Sequence, residues 1–228
     1  CEAEVIEEGT KWEGYIYKRQ VNGDLELNET ESATLELIDM NGEVLTEGTH
    51  PYSGSPGYWS LELPEGTEGT EIAIRANDED ADPMLWRGTA PEAFAIWLSK
   101  TIFLHSSGFN TQFFSAFEDL ETIQALEEDM ICHLWGQPLV PEDWAEADLE
   151  LTTADGEPVT VYTFSYDENG LIQQDISEKI DLFLAFNISP GNTRFKVTAA
   201  DGRQAETIYP ANGGELLSAM YYTLPGND

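Results

Sequence analysis

The sequence predicts a mainly β fold: two tandem β-sandwiches with a helical insert between them. Three observations point there. Short segments alternate apolar and polar residues with the period of two that a strand requires. Asn-Gly and Asp-Gly dipeptides punctuate them and supply the positive φ angles of tight hairpin turns. One strand–turn–strand pattern is written twice within 228 residues.

The chain opens on CEAEVIEEGT, residues 1–10, an acidic tether. A start at Cys1 resembles the mature end of bacterial lipoproteins, which are cut just before a cysteine that then carries lipid. That resemblance implies a lipid on Cys1, export, and a place on the outer membrane surface or outside the cell. Two or three acyl chains, at about 0.8 kcal/mol per buried CH₂, anchor firmly. A trimmed chain, or a disulfide from Cys1 to Cys132, are the competing readings.

Residues 11–88 read as the first sandwich. ATLELIDMNGE (33–43) places Leu35 and Leu37 on one face and then meets the Asn41-Gly42 turn. YWSLELPEG (58–66) alternates Trp59, Leu61 and Leu63 inward, and EIAIRA (71–76) comes next as another strand.

Residues 89–138 read as the helical insert and linker. Thr89 suits a cap and Pro91 a first helical turn, while Phe94, Trp97, Leu98 and Ile102 fall at helical spacing before Gly108. Phe113, Phe117 and Leu120 share one face of a second helical stretch.

Residues 139–228 read as the second sandwich. ADLELTTADGE (147–157) repeats the A-x-L-E-L-x4-G-E pattern of 33–43. FLAFNISPG (183–191) matches 58–66 when the final glycines align, which sets Leu184, Phe186 and Ile188 where Trp59, Leu61 and Leu63 stand. RFKVTAA (194–200) then stands where EIAIRA stood. This order of strands, turns and "P-x-G" resembles the carboxypeptidase regulatory-like domain, a small transthyretin-like (Ig-like) β-sandwich. Asp167-Glu168-Asn169-Gly170 is similar to that family's "D-x-x-G" turn. The resemblance implies non-catalytic sandwiches in a surface lipoprotein.

Composition narrows the function. The chain has 44 Asp and Glu against 10 Lys and Arg, a net charge of −34. Such a surface repels phosphate backbones and excludes nucleic acid as a partner. No segment reaches the roughly 20 apolar residues of a membrane helix.

Catalytic patterns are lacking. His50, His105 and His133 belong to no zinc motif, and no G-x-S-x-G elbow accompanies Ser106-Ser107-Gly108. LHSSG reads as a helix C-terminus, and Cys132-His133 as a buried cysteine beside a histidine rather than a nucleophile and its base. No cofactor is required by the sequence. Calcium is the one it admits: Asp78, Asp80 and Asp82 alternate in NDEDADP (77–83), although Pro83 and Thr89 stand where an EF-hand needs Gly and Glu. The competing reading of that loop is an exposed acidic turn.

The expected function is thus a structural or binding module, with protein or further copies of itself as partner. Edge-strand pairing or head-to-tail linkage into a filament would join the copies. The alternatives are a calcium-dependent adhesion or glycan-binding protein, and a hydrolase using His105 or His133.

Overall fold

The computed structural model describes residues 11–20, 22, 24–28, 33–39, 41–49, 57–67, 71–89, 101–126, 131–167, 172–174, 179–222 and 224. Cys1 with its tether, His50, the helical positions Phe94, Trp97 and Leu98, and Glu168-Asn169-Gly170 lie outside these residues. The fold is mainly β and sandwich-like, as predicted.

The first half contributes β1 (Lys11–Arg19), β2 (Leu25–Leu27), β3 (Thr34–Ile38), β4 (Val44–Thr49), β5 (Tyr58–Glu62), β6 (Glu71–Asp78), β7 (Ala81–Thr89) and β8 (Thr101–Ser106). One layer runs β4-β3-β6-β7. The other centres on β1, with β5 antiparallel on one edge and β8 parallel on the other. The β3–β4 hairpin turns at Gly42, whose φ of +87° is open to glycine at little cost.

After α1 (Ser107–Ser115) come β9 (Cys132–Pro138), a short 3-10 turn (Pro141–Trp144), β10 (Asp148–Thr152), β11 (Pro158–Val159), β12 (Tyr162–Tyr166), β13 (Ile172–Gln174), β14 (Leu182–Ile188), β15 (Gly191–Thr198), β16 (Gln204–Ala211) and β17 (Leu216–Tyr222). The first topology returns here. The sheet β11-β10-β15-β16 repeats β4-β3-β6-β7. β9 pairs antiparallel with β14 and parallel with β17, as β1 does with β5 and β8. Even the register repeats: Leu35 and Leu37 face Ala76 and Ile74, and Leu149 and Leu151 face Val197 and Phe195. The duplicated sequence folds as a duplicated sandwich.

One alignment within the repeat needs correcting. In β14 it is Phe183, Ala185 and Ile188 that enter the second core, whereas Leu184 and Phe186 face the opposite side. Gly136 opposes Phe183 as Gly14 opposes Trp59, so Phe183, not Leu184, takes the place of Trp59. The register then shifts between Ala185 and Ile188, where Asn187 has φ +54°. A bulge inserts one residue and reverses the facing of the residues beyond it. Because β14 is buried on both faces, its sequence is an apolar run as far as Asn187 and alternation gives no facing.

The insert is also corrected. Thr101–Ser106 is a strand rather than the end of a helix, and it is held in register against Tyr15–Arg19. LHSSG therefore opens a helix instead of closing one: the Ser106 hydroxyl accepts from the Phe109 N–H at 3.3 Å, an N-cap. Phe117 and Leu120 lie past the helix end, yet they pack with Phe113 against the first core, as their spacing suggested. Cys132–Pro138, placed by the sequence in the insert, is the first strand of the second sandwich.

The two sandwiches meet at a strand seam. β7 pairs with β8 at Ala81 and Asp82 and then changes neighbour, so that Met84, Leu85 and Trp86 run parallel to Leu216, Leu217 and Ser218 of β17. A continuous central sheet results, in the order β13-β12-β14-β9-β17-β7-β6-β3-β4. Both its faces are covered. One carries the first core (Ile16, Leu35, Trp59, Ile74, Leu104), extended by Phe114, Trp135 and Phe186. The other carries the second core, where the Phe183 ring stacks between Trp144 at 5.3 Å and Phe195 at 5.0 Å.

Candidate functional site

The alternating acids do not converge. β6 ends at Asp78 and β7 begins at Ala81, so Asp78 and Asp82 stand on different strands and Asp80 sits exposed in the turn between. Among the described residues, no three His, Cys, Asp or Glu side chains come together as metal ligands. Asp78, Asp82 and Glu215 have each found a protein partner instead.

Asp78 lies at the end of the first core, its side chain wholly buried. Its Oδ2 accepts from Lys18 Nζ at 3.0 Å and from Asn28 Nδ2 at 2.9 Å. Lys18 and Asn28 are 6% and 2% exposed, so the ammonium, carboxamide and carboxylate share one dry pocket. Lys18 has the strand parity of Ile16, which aims it inward, and the Asn28 N–H donates to the Ile16 carbonyl at 2.9 Å.

Asp82 begins a second buried chain. Its Oδ2 accepts from Asn110 Nδ2 at 2.7 Å, and Asn110 Oδ1 meets His105 Nδ1 at 2.9 Å, so His105 donates from Nδ1. The imidazole is caged edge-on by Phe109 and Trp135, both at 4.9 Å. Burial pushes its pKa down to about 4, against the pull of the Asn110 bond. Among the described residues its Nε2 has no partner. The Ser106 hydroxyl beside it is engaged as a helix cap.

His133 is satisfied at both nitrogens. Nε2 lies 2.9 Å from the Gln124 carbonyl, while Nδ1 lies 2.9 Å from the Cys132 carbonyl and 3.1 Å from the Asn187 N–H. Burial lowers its pKa. Asn187, at the bulge, also donates to Glu121 Oε1 at 2.8 Å and Thr122 O at 2.9 Å, and accepts from the Gln124 N–H at 2.9 Å. It clips the chain after α1 onto the sheet. A cavity of about 480 Å³ opens beside it, between Asp82, Asn110, Phe114, Glu118 and His133. Cys132 Sγ donates to the Asn212 carbonyl at 2.8 Å, and burial pushes the thiol up to about 12. A thiol so protonated is no nucleophile.

The third cluster lies on the seam. Arg75 of β6 donates from Nε to Glu215, the residue before β17, and from Nη1 to Glu36 at 3.0 Å. Glu215 also accepts from the Asn212 N–H at 2.8 Å, which pins the turn leading into β17. Burial opposes the Arg75 charge, but Glu215 and Glu36 outweigh it and hold the guanidinium protonated. The sequence did not single out Lys18, Asn28, Arg75 or Glu215. Two of the 10 cations standing inside apolar alternating strands was the available signal.

No protein-family model and no curated protein matches the chain. The carboxypeptidase regulatory-like resemblance therefore stands only as a sandwich likeness. Among solved structures, the TIE protein of Bacillus anthracis aligns at 11% identity over 92% of this chain and 34% of its own, with TM-score 0.25. A fimbrial protein from Bacteroides ovatus aligns at 10% identity over 94% and 49%, TM-score 0.23. A point mutant of the major pilin from Streptococcus pyogenes aligns at 11% identity over 95% and 98%, TM-score 0.24. The chain thus spans about a third of the first and half of the second. These scores are too low to carry functional weight.

Proposed function

We propose that the chain is a non-catalytic structural module of an exported surface protein, in which a duplicated sandwich is fused into one unit that associates through its sheet edges. The single observation that supports this reading most is the seam. Strand pairing between β7 and β17, a continuous core on each face and the Arg75–Glu215 pair join the two sandwiches as neighbours within one domain are joined. Such a joint suits a part that bears load or keeps a fixed geometry, since the relative motion usual between tandem domains is suppressed.

The ends of the central sheet are the surfaces offered to a partner. Among the described residues, no strand pairs the outer edge of β4 or of β13. Val44 on β4 and Ile172 on β13 are 44% and 41% exposed. An open edge templates another strand. Because the two edges differ, pairing of one with the other is head-to-tail and propagates. The net charge of −34 opposes this until salt or calcium screens it. Calcium acts there as a counter-ion, and no resident cofactor is invoked.

Light scattering of the full chain over rising NaCl and CaCl₂ tests the reading. Mass should grow with protein and salt concentration, and Val44→Lys or Ile172→Lys should suppress the growth. A monomer throughout would contradict edge association.

A further inference from the structure

The Lys18–Asn28–Asp78 cluster is over-equipped for an ion pair. A buried Lys–Asp pair is no better for stability than apolar side chains of similar volume, and yet here a carboxamide is brought to the same carboxylate oxygen. Lys18 Nζ and Asn28 Nδ2 approach Asp78 Oδ2 to 3.0 Å and 2.9 Å. All three side chains are buried, with the Asp78 side chain at 0% exposure. An amine, an acyl carbon bearing an ammonia leaving group, and a proton carrier that touches both nitrogens are the components of an acyl transfer.

We propose that this cluster is a self-reactive site that joins Lys18 to Asn28 through an amide bond, with Asp78 as the catalytic acid–base. Asp78 takes a proton from the Lys18 ammonium and frees its lone pair. Nζ attacks Cγ of Asn28, and the C=O electron pair moves onto Oδ1. Asp78 then gives its proton to Nδ2, the Cγ–Nδ2 bond breaks as the C=O bond re-forms, and ammonia leaves. Of the two protons left on Nζ, one is taken up by that ammonia and the other stays as the amide N–H. The sum is Lys–NH₃⁺ plus Asn–CONH₂ giving a secondary amide plus NH₄⁺. No oxidant, metal or outside reagent enters.

Fixing both partners on one oxygen supplies the proximity the reaction needs. The product N–H can still donate to Asp78. The bond ties β1 to the residue just after β2, with the carboxylate supplied by β6 of the facing sheet. It is a single intramolecular event and turns over no external substrate, so it sits beside the structural reading without depending on it.

Tryptic mass mapping of the full chain tests this directly. No lysine or arginine lies between Arg19 and Arg75, so an unlinked chain releases fragments 12–18 and 20–75 separately. The proposal predicts that trypsin fails after Lys18, that 12–19 stays joined to 20–75, and that the intact chain is lighter by one ammonia. Asp78→Ala, Lys18→Arg and Asn28→Ala should each restore the unlinked fragments and the missing mass. The wild-type masses alone decide the matter if a variant fails to fold. Separate fragments from the folded wild-type chain would overturn the proposal. A linked species that has lost water instead of ammonia would place the bond on Asp78 and overturn the assignment of Asn28. An unlinked chain that still associates in salt overturns the bond and leaves the structural reading standing.

Discussion

Arg75 in the first sandwich and Glu215 in the second form a buried ion pair across the seam where β7 meets β17, with side chains 9% and 3% exposed. They are 140 residues apart in the chain. The pair has support on both sides, from Glu36 on the guanidinium and from the Asn212 N–H on the carboxylate. Arg75→Ala removes the cation and leaves Glu215 charged in a site that burial already disfavours. Loss of one partner from such a pair costs about 3–5 kcal/mol. Chemical denaturation should show that loss, and Arg75→Ala combined with Glu215→Gln should recover part of it. A change below about 1 kcal/mol would mean the pair is not a determinant of the seam.

Gly136 faces Phe183 so closely that an added Cβ would stand 2.1 Å from the ring Cζ and 2.9 Å from Ala219 Cβ. The ring has no room to retreat, since Trp144 and Phe195 stack on its two sides. Gly136→Ala should therefore destabilise by about 1–3 kcal/mol, as overpacking does. Thermal melting of the variant checks this, and an unchanged midpoint would show that the second core is looser than its geometry.

His105 gives the fold a pH dependence of known sign. Its folded-state pKa of about 4 lies below the ordinary value of 6.5, so the unfolded chain takes up the proton first as pH falls. The stability it supports is fully present above pH 6.5, declines below that, and is lost once pH reaches about 4. The gap corresponds to about 3 kcal/mol at one pKa unit per 1.36 kcal/mol. Stability measured at steps across this window should fall less for His105→Phe, which keeps the aromatic cage, than for wild type. Parallel curves would remove His105 as the cause.

Cys132 should be silent in the folded chain. Its thiol is buried, bonded to the Asn212 carbonyl and pushed up to about 12. An alkylating reagent at pH 8 should label it only after denaturation. Fast labelling of the native protein would revive the nucleophile reading of Cys132 beside His133.

Strands with one buried face were legible in the sequence. Leu35 and Leu37, or Leu149 and Leu151, announce their facing, and Gly42 and Gly156 both take the positive φ that their turns demand. Legibility failed where both faces are buried. β14 reads as an apolar run as far as Asn187, without alternation, so its bulge and the true partner of Trp59 were hidden. The period also misled at Thr101–Ser106: Ile102 falls at helical spacing from Leu98, but parallel pairing with β1 decides its state, and that partner lies far back in the chain. The acids of 77–83 suggested a cation loop because charge alone was visible. What could not be seen was that Lys18 and Asn110 would reach Asp78 and Asp82 first.

The seam is the feature on which a single fused unit depends, and scanning calorimetry of the full chain tests it. One transition is predicted, with calorimetric and van't Hoff enthalpies equal, because neither sandwich can leave the β7–β17 ladder without opening the core of the other. Arg75→Ala should lower or divide that transition. Two separate transitions in the wild-type chain would show the sandwiches to be independent domains in contact, and would contradict the reading of this protein as one fused structural unit.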